Sequence, residues 1–369
     1  MAFQFIEGFE AEAHDDYVDR RYAARTGSLN AASVAGRRNS SHRAIRHNSL
    51  VLETKALVVS VGNTWTVGFG FNMDENLSTS STEFCGWSLS DGVGEQFSLT
   101  IVRQTSLTSE EPYAYIELRQ GDRTTGATVL ATGIIPIQLK RWYYIECTVV
   151  VRTGINGSAD VYVDGVADTA LSISGVDTAA QGTDGADRLV LSWETDTGNP
   201  NVIMDDWYAR DDATPTTSGD FVVEAVQPDS ADGTYTDWDL AGGATSVGHA
   251  FLDGATNGNN ATELDRRIIT DVLNDMSSAP FDETNFVREN ILSVRLSTQA
   301  KMDTSGTRGL TPFLRDNTGT PGDASGTAFT VNTTSWSTFD EYFDTNPEKG
   351  GAWTAAQLDV MEWGIELTT

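Results

Sequence analysis

Apolar residues recur at every second position in short runs along most of the chain, and this period restricts the fold more than any other feature. Between Thr64 and Phe71 the set Trp65, Val67, Phe69 and Phe71 falls on one face of an extended strand. Phe97, Leu99 and Ile101 repeat the pattern between Gln96 and Arg103, and Tyr113, Tyr115 and Glu117 share a face in the next run. The longest run, Arg141 to Arg152, sets Tyr143, Ile145, Cys147 and Val149 against Tyr144, Glu146, Thr148 and Val150. Ser158–Val163 leads into Asp164-Gly165, a hairpin signal, after which Ala170–Ile173 is placed to pair back. Leu50–Thr54, Leu189–Trp193 and Val202–Tyr208 complete the series. No helical period persists for three turns in this region. Strands at such density predict a two-sheet sandwich.

The chain has 369 residues, too many for one ordinary sandwich and enough for two. Residues 211–219 are rich in turn formers and read as a linker, which puts the first domain at 1–210 and the second at 220–369. Strand candidates in the second block are Phe221–Val226, Asn290–Thr298, Gly309–Arg315, Ala328–Val331, Ser335–Phe343 and Trp363–Leu367. Two helices are allowed there, over Thr262–Asn274 and over Ala355–Met361, the latter behind Thr354 as N-cap. The expected class is all-β, two β-sandwich (jelly-roll) domains with one or two short helices in the second.

Charge narrows the partners. The 24 Lys and Arg against 53 Asp and Glu give −29, a surface that repels nucleic acid and anionic membranes. No run of about 18 apolar residues would insert in a membrane. The first residues have neither a basic region nor a long apolar stretch, so no signal peptide is expected and folding in the host cytoplasm is. The two cysteines, Cys85 and Cys147, fall inside apparent strands without CxxC spacing, which favours free buried thiols over a zinc site or a disulfide scaffold; a bridge between them stays open.

Three groups of segments carry a family resemblance. Phe5-Ile6-Glu7-Gly8-Phe9-Glu10 opens the chain. Arg141-Trp142-Tyr143-Tyr144-Ile145-Glu146, then Ala159-Asp160-Val161-Tyr162-Val163-Asp164-Gly165, then Ile203-Met204-Asp205-Asp206-Trp207-Tyr208 follow in order. This order resembles the laminin-G/concanavalin-A-like jelly roll and implies such a fold for the first domain. Pro228–Gly233 with Trp238, Asn346-Pro347, Trp353–Leu358 and Glu362–Glu366 are similar to structural proteins of tailed phages, although Pro347 is followed by Glu348-Lys349-Gly350-Gly351 where those carry a threonine. The resemblance implies a virion protein on the particle exterior, as capsid decoration or tail-associated protein. Its partners would be other copies of itself, a trimer as first guess, and capsid or tail proteins. The alternative it implies is a carbohydrate- or receptor-binding tail adhesin for a host surface glycan.

Chemistry is sparse in the sequence. A glycosidase on this fold needs two glutamates about an aspartate on one strand, E-x-D-x-x-E, and Glu194-Thr195-Asp196 is its nearest approach. The chain is therefore expected not to be an enzyme, and no cofactor is expected. Asp205-Asp206 could hold a structural calcium, with only one of the two facing any given site because strand neighbours point to opposite faces. Trp87, Tyr113 and Tyr115 are candidate glycan contacts through ring stacking. Seven arginines lie in residues 20–46, an unpatterned stretch read as a long loop; Arg37, Arg38, Arg43 and Arg46 are the candidates for docking on an acidic partner.

Overall fold

The computed structural model describes residues 2–8, 22–26, 34–35, 37, 43–47, 50–57, 62–73, 84–103, 113–122, 127–138, 140–194, 202–211, 217–219, 221–223, 237–241, 267–269, 276–280, 291–302, 306–316, 323–358 and 360–368. The chain is all-β and forms two compact units, one built on Met1–Glu10 with Tyr22–Val223 and the other on Ala11–Arg21 with Glu224–Thr369.

The first unit is a sandwich of two antiparallel sheets. One contains β1 (Ala2–Glu7), β3 (Val34–Ala35), β4 (Arg43–His47), β6 (Thr64–Met73), β12 (Trp142–Val150), β13 (Gly157–Val163), β14 (Val166–Ala167), β15 (Ile173–Val176) and β17 (Val202–Asp211). Its spine runs β14-β13-β12-β6-β17-β4-β3, with β1 on β17 and β15 on β13. The second sheet contains β2 (Tyr22–Thr26), β5 (Val51–Thr54), β7 (Phe84–Ser90), β8 (Glu95–Arg103), β9 (Tyr113–Gln120), β10 (Thr128–Thr132), β11 (Ile137–Gln138) and β16 (Arg188–Glu194). Its order is β10-β9-β8-β7-β16-β5-β2, with β11 on β9. Strands distant in sequence thus lie side by side, as β6 does beside β17 and β7 beside β16.

The period-two sets form the core. Trp65, Val67, Phe69 and Phe71 of β6 are buried, as are Ile145, Cys147 and Val149 of β12 and Phe97, Leu99 and Ile101 of β8. Trp207 stacks on Phe69 with centroids 4.4 Å apart. Cys147 is a free buried thiol whose pKa burial raises. The Asp164-Gly165 turn has φ of 49° and 76° and joins β13 to β14 through the Val163–Val166 pair, the two-residue geometry that fits strand twist.

The segment read as a basic loop contributes strands instead. β2 pairs with β5, and β4 pairs with β17 and with β3. These strands are short, and Tyr22–Thr26 and Arg43–His47 have no run of alternating apolar residues long enough to mark them. Toward the other end of the unit, Phe221 and Val223 are buried against it: Phe221 lies 4.8 Å from Tyr208 and 5.6 Å from Phe3, centroid to centroid.

The second unit is built of β18 (Asp239–Ala241) with β19 (Arg267–Ile269); β20 (Met276–Pro280), β22 (Arg308–Asp316), β23 (Asp323–Ser325), β24 (Phe329–Val331) and β26 (Met361–Leu367); and β21 (Val294–Ala300) with β25 (Ser337–Phe343). One core cluster joins Leu296, Leu314, Phe343, Trp353, Leu358, Met361 and Trp363, and another joins Trp238, Leu310, Val331, Ile365 and Leu367. The helix expected after Thr354 is present as the short α1 (Ala355–Leu358). Gln357 N donates to Thr354 Oγ1 at 3.3 Å while Thr354 N donates to Gln357 Oε1 at 2.9 Å, a reciprocal cap. Where a second helix was allowed, Arg267–Ile269 is a strand paired with β18; the rest of Thr262–Asn274 lies outside the described residues.

Candidate functional site

Cross-strand register defines two opposite faces of the eight-stranded sheet. Leu52, Leu191, Trp87, Leu99 and Leu118 are directly paired across five strands and buried, and they form the core face. The alternate residues therefore point away from the core. Their first row runs Glu53–Val190–Ser88–Ser98–Arg119, and their second Val51–Ser192–Gly86–Thr100–Glu117. The middle of these rows carries small hydroxyl side chains, and Ser88, Ser98, Thr100 and Ser192 are buried, with Ser98 Oγ donating to the Asp122 carbonyl at 3.0 Å. Gly86 has φ of 144°, and a Cβ there would collide with the Leu99 carbonyl oxygen, so the pairing requires the absence of a side chain.

On one side of these rows, β9 presents Tyr115, Glu117 and Arg119 at alternate positions. Arg119 Nε and Nη2 both donate to Glu117 Oε2, at 2.9 and 2.6 Å. Burial, followed by the Glu117 charge and a hydrogen bond to it, raises the Tyr115 pKa. The trio offers ring surface and hydrogen-bond donors, with the Glu117 charge answered by Arg119.

On the other side lies a cavity of about 450 Å³ lined by Ala24, Thr26, Val51, Glu53, Val190, Ser90, Gly92, Val93, Gly94, Glu95, Asp122 and Gln181. Its lip is the turn between β7 and β8, and the turn is fixed by Asp91. Asp91 Oδ1 accepts from the amides of Val93 and Gly94, each at 2.9 Å, and Oδ2 accepts from Gln96 Nε2 at 2.7 Å and Thr183 Oγ1 at 2.9 Å. Burial alone would raise its pKa, but the Gly94 and Val93 amides with Thr183 and Gln96 take the carboxyl below the usual range. Gln96 Oε1 also receives Gln181 N at 3.0 Å, tying the lip to the wall. Behind it Arg188 is held by Glu53 at 3.0 Å and by Asp187 at 3.5 Å.

The residues singled out from sequence are distributed unevenly. Tyr115 stands on this outer face. Trp87 does not: it is 0 % exposed, on the core side beside Phe97, because even one step along a strand reverses the face. The Tyr113 backbone belongs to β9, with its side chain outside the described residues, and Arg38 lies outside them altogether. Arg43 and Arg46 belong to β4 by their backbones, opposite Ala35 and Ile203, with side chains outside the described residues.

Arg37 is engaged within its own unit. Its Nε lies 2.8 Å from Asp206 Oδ2, its backbone amide donates to Asp205 Oδ2 at 2.9 Å, its Nη2 donates to the Phe221 carbonyl, and its guanidinium carbon sits 4.9 Å from the centre of the Tyr144 ring. Both aspartates converge on it, contrary to the alternation expected of a strand. The cause is a bulge: the register of β17 against β6 shifts between Asp205 and Tyr208, and Asp206 has φ of 53°. Asp206 Oδ1 further accepts Val223 N at 2.8 Å, and Asp205 Oδ1 accepts Asp206 N at 2.8 Å. Burial, then the neighbouring Asp206 charge, raises the Asp205 pKa. The pair thus has a guanidinium and three backbone amides as partners where a calcium was considered. Among the described residues no group of three or more His, Cys, Asp or Glu is placed to hold a metal ion.

A second polar cluster escaped the sequence analysis. On the outer face of the nine-stranded sheet, Glu146 is 2 % exposed and accepts Ser218 N at 2.9 and 3.1 Å. Arg210 Nη1 donates to Ser218 Oγ at 2.7 Å. Burial lifts the Glu146 pKa to about 7 against the lowering effect of Tyr208, Ser218 and Arg210. Gly68 makes room for this cluster, since a Cβ there would run into the Tyr208 and Tyr144 side chains. A polar residue in a period-two run was the available signal, at Glu146 between Ile145 and Cys147.

No protein-family model matches the sequence, and no curated protein matches it. Similar folds occur among solved structures. A marine alginate lyase from Aplysia kurodai is 10 % identical over 57 % of this chain and 100 % of its own, with a TM-score of 0.42. A carbohydrate esterase from the Shiga toxin-encoding bacteriophage phi24B is 12 % identical over 56 % and 97 %, at 0.38. An endo-β-1,4-glucuronan lyase from the fungus Trichoderma reesei is 10 % identical over 51 % and 90 %, at 0.37. The expectation that this chain is not an enzyme is corrected here: the structures it resembles include several polysaccharide lyases. The similar structures include polysaccharide lyases and a carbohydrate esterase, one from a bacteriophage and one from Chlorella virus, and also the receptor-binding domain of a botulinum neurotoxin.

Proposed function

We propose that the chain is a carbohydrate-binding protein whose site is the outer face of the eight-stranded sheet, and that it serves glycan attachment on the exterior of a phage particle. The observation that carries the reading is the cavity of about 450 Å³ on the outer side of the eight-stranded sheet, lined by carboxylates, hydroxyls and valines. Sugars present alternating hydroxyls and C–H surface. A cavity that mixes carboxylate acceptors, hydroxyls and valines matches both. The sheet supplies rigid positions for these groups, which lowers the ordering cost of binding. The particle setting rests on the sequence resemblance to tailed-phage structural proteins, with capsid or tail proteins and other copies of the chain as the proposed contacts.

The test is a glycan array probed with the full chain, followed by titration of the glycans retained. The reading expects reproducible binding that Tyr115→Ala weakens by about tenfold, roughly 1.4 kcal/mol. Binding that is unchanged in Tyr115→Ala, or no binding to any saccharide tried, would overturn it. Product analysis of the same mixtures reads whether a bound glycan is also cleaved.

A further inference from the structure

We infer that Gln96 is a positioning residue of the cavity: its side-chain amide holds the lip, residues 91–94, and the segment 180–183 together as one wall, and saccharide binding depends on that link. The inference rests on the carbohydrate-binding reading above. Gln96 belongs to β8, is buried, and stands outside the lining itself. Its Nε2 donates to Asp91 Oδ2 at 2.7 Å and to Thr183 Oγ1 at 3.3 Å, and its Oε1 accepts from Gln181 N at 3.0 Å. Its backbone carbonyl accepts from Ala180 N at 3.2 Å and from Gly121 N at 2.8 Å. One residue thus joins the lip, the segment that carries Gln181, and the exit of β9, where Asp122 enters the lining.

The two groups that Gln96 connects have opposite needs. The Asp91 carboxylate accepts only, and the Gln181 amide donates only. Burial opposes the Asp91 charge, but the Gly94 and Val93 amides with Thr183 and Gln96 take the carboxyl below the usual range. The charged groups that share its field are Asp187 and Arg188 at the entry to β16. A side chain placed between Asp91 and Gln181 must therefore donate to one and accept from the other. A glutamine amide does both. An ionised glutamate does only the second, and a protonated glutamate does both again.

The link matters because the wall is built by contact between segments. A Cβ at Gly94 would stand 2.7 Å from Gln181 Nε2, and one at Gly92 would stand 2.7 Å from Arg188 Cζ. The Gln181 side chain and the Arg188 guanidinium thus lie directly against the lip backbone. Val93, 88 % exposed, and Gln181 both line the cavity, one from each of the joined segments. A wall held in one arrangement before the ligand arrives lowers the ordering cost of binding, and a lip cut loose restores that cost.

The experiment measures two quantities on the full chain at pH 4.5 and pH 8. One is amide exchange in residues 91–96 and 179–183, corrected for intrinsic rates. The other is calorimetric titration with cellohexaose, mannohexaose and an alginate hexamer. In Gln96→Glu two carboxylates face each other at pH 8, whereas at pH 4.5 they share a proton that remakes the link. At pH 8 the variant is expected to exchange at least about tenfold faster than the parent in both segments and to bind the parent's tightest hexamer at least about tenfold more weakly. At pH 4.5 both quantities are expected to return to within about threefold of the parent. The double variant Asp91→Asn with Gln96→Glu exchanges donor and acceptor and keeps the parent's charge, so it is expected to match the parent within about threefold at both pH values. It also carries the test should Gln96→Glu unfold at pH 8. Equal losses in Gln96→Glu at both pH values, no rescue in the double variant, or full binding with a loosened lip would each overturn the inference. A parent that binds none of the hexamers, together with an empty glycan array, would overturn the carbohydrate-binding reading, while exchange would still decide whether Gln96 holds the wall.

Discussion

Replacing Glu146 with glutamine isolates the energetic consequence of a buried carboxyl. Glu146 lies on β12 beneath Ser218, with Tyr208 and Arg210 of β17 and Tyr144 of its own strand around it. Its pKa in the folded protein is about 7, against an ordinary value of 4.5. Between those two values the folded state holds a proton that the unfolded state has released. Stability from this group therefore rises as pH falls from about 8 to about 4.5 and is level outside that window. The difference of the two pKa values corresponds to roughly 3 kcal/mol of destabilisation at pH 8 that disappears by pH 4.5. Glutamine cannot ionise, and its carbonyl keeps an acceptor for the Ser218 amide. The Glu146→Gln protein is thus expected to gain up to about 3 kcal/mol over the parent at pH 8 and less than about 1 kcal/mol at pH 5. Native-state hydrogen exchange of peptides spanning Trp142–Val150, corrected for intrinsic rates, reads the difference in the intact chain. Because parent and variant share every other titrating group, the difference between them reports this carboxyl. A difference that stays constant across the range, or that grows toward low pH, would refute the reasoning.

Other outcomes follow from placement. Trp87→Ala removes a core ring of the first unit and is expected to cost about 3–5 kcal/mol in chemical denaturation, where loss of a surface ring would be nearly silent. Arg37→Ala leaves Asp205 and Asp206 buried without their guanidinium and is expected to cost about 3–5 kcal/mol, seen as a lowered midpoint in the transition of the first unit. The substitution of Tyr115 by alanine should leave that midpoint within about 0.5 kcal/mol while weakening glycan retention on the array.

The parts of this molecule that were legible in the sequence are those governed by one strand at a time. Trp65, Val67, Phe69 and Phe71 occupy the core as their spacing requires, and Thr354 caps a helix as its chemistry requires. Asp164-Gly165 turns where the two residues together tolerate positive φ. The site depends instead on pairing between strands far apart in sequence. Nothing in Gln96–Arg103 says that Ser98 will lie between Ser88 and Arg119, or that Thr100 will lie between Gly86 and Glu117. Trp87 was misplaced because an aromatic on a strand has two faces to choose from and local pattern did not decide between them. Asp205 and Asp206 were expected on opposite faces, and a bulge with Asp206 at positive φ brought them together on Arg37. That bulge has no signature in the alternation, since it is stabilised by groups from Arg37 and Val223, one upstream and one downstream.

The central claim is that the outer face of the eight-stranded sheet receives a glycan. Hydrogen–deuterium exchange of the full chain, with and without a saturating saccharide from the array, tests it residue by residue. The account predicts slowed exchange in the Asp91–Gly94 turn and along Tyr113–Asp122, with the nine-stranded sheet unchanged. Protection confined to the second unit, or to β6 and β12, would contradict it.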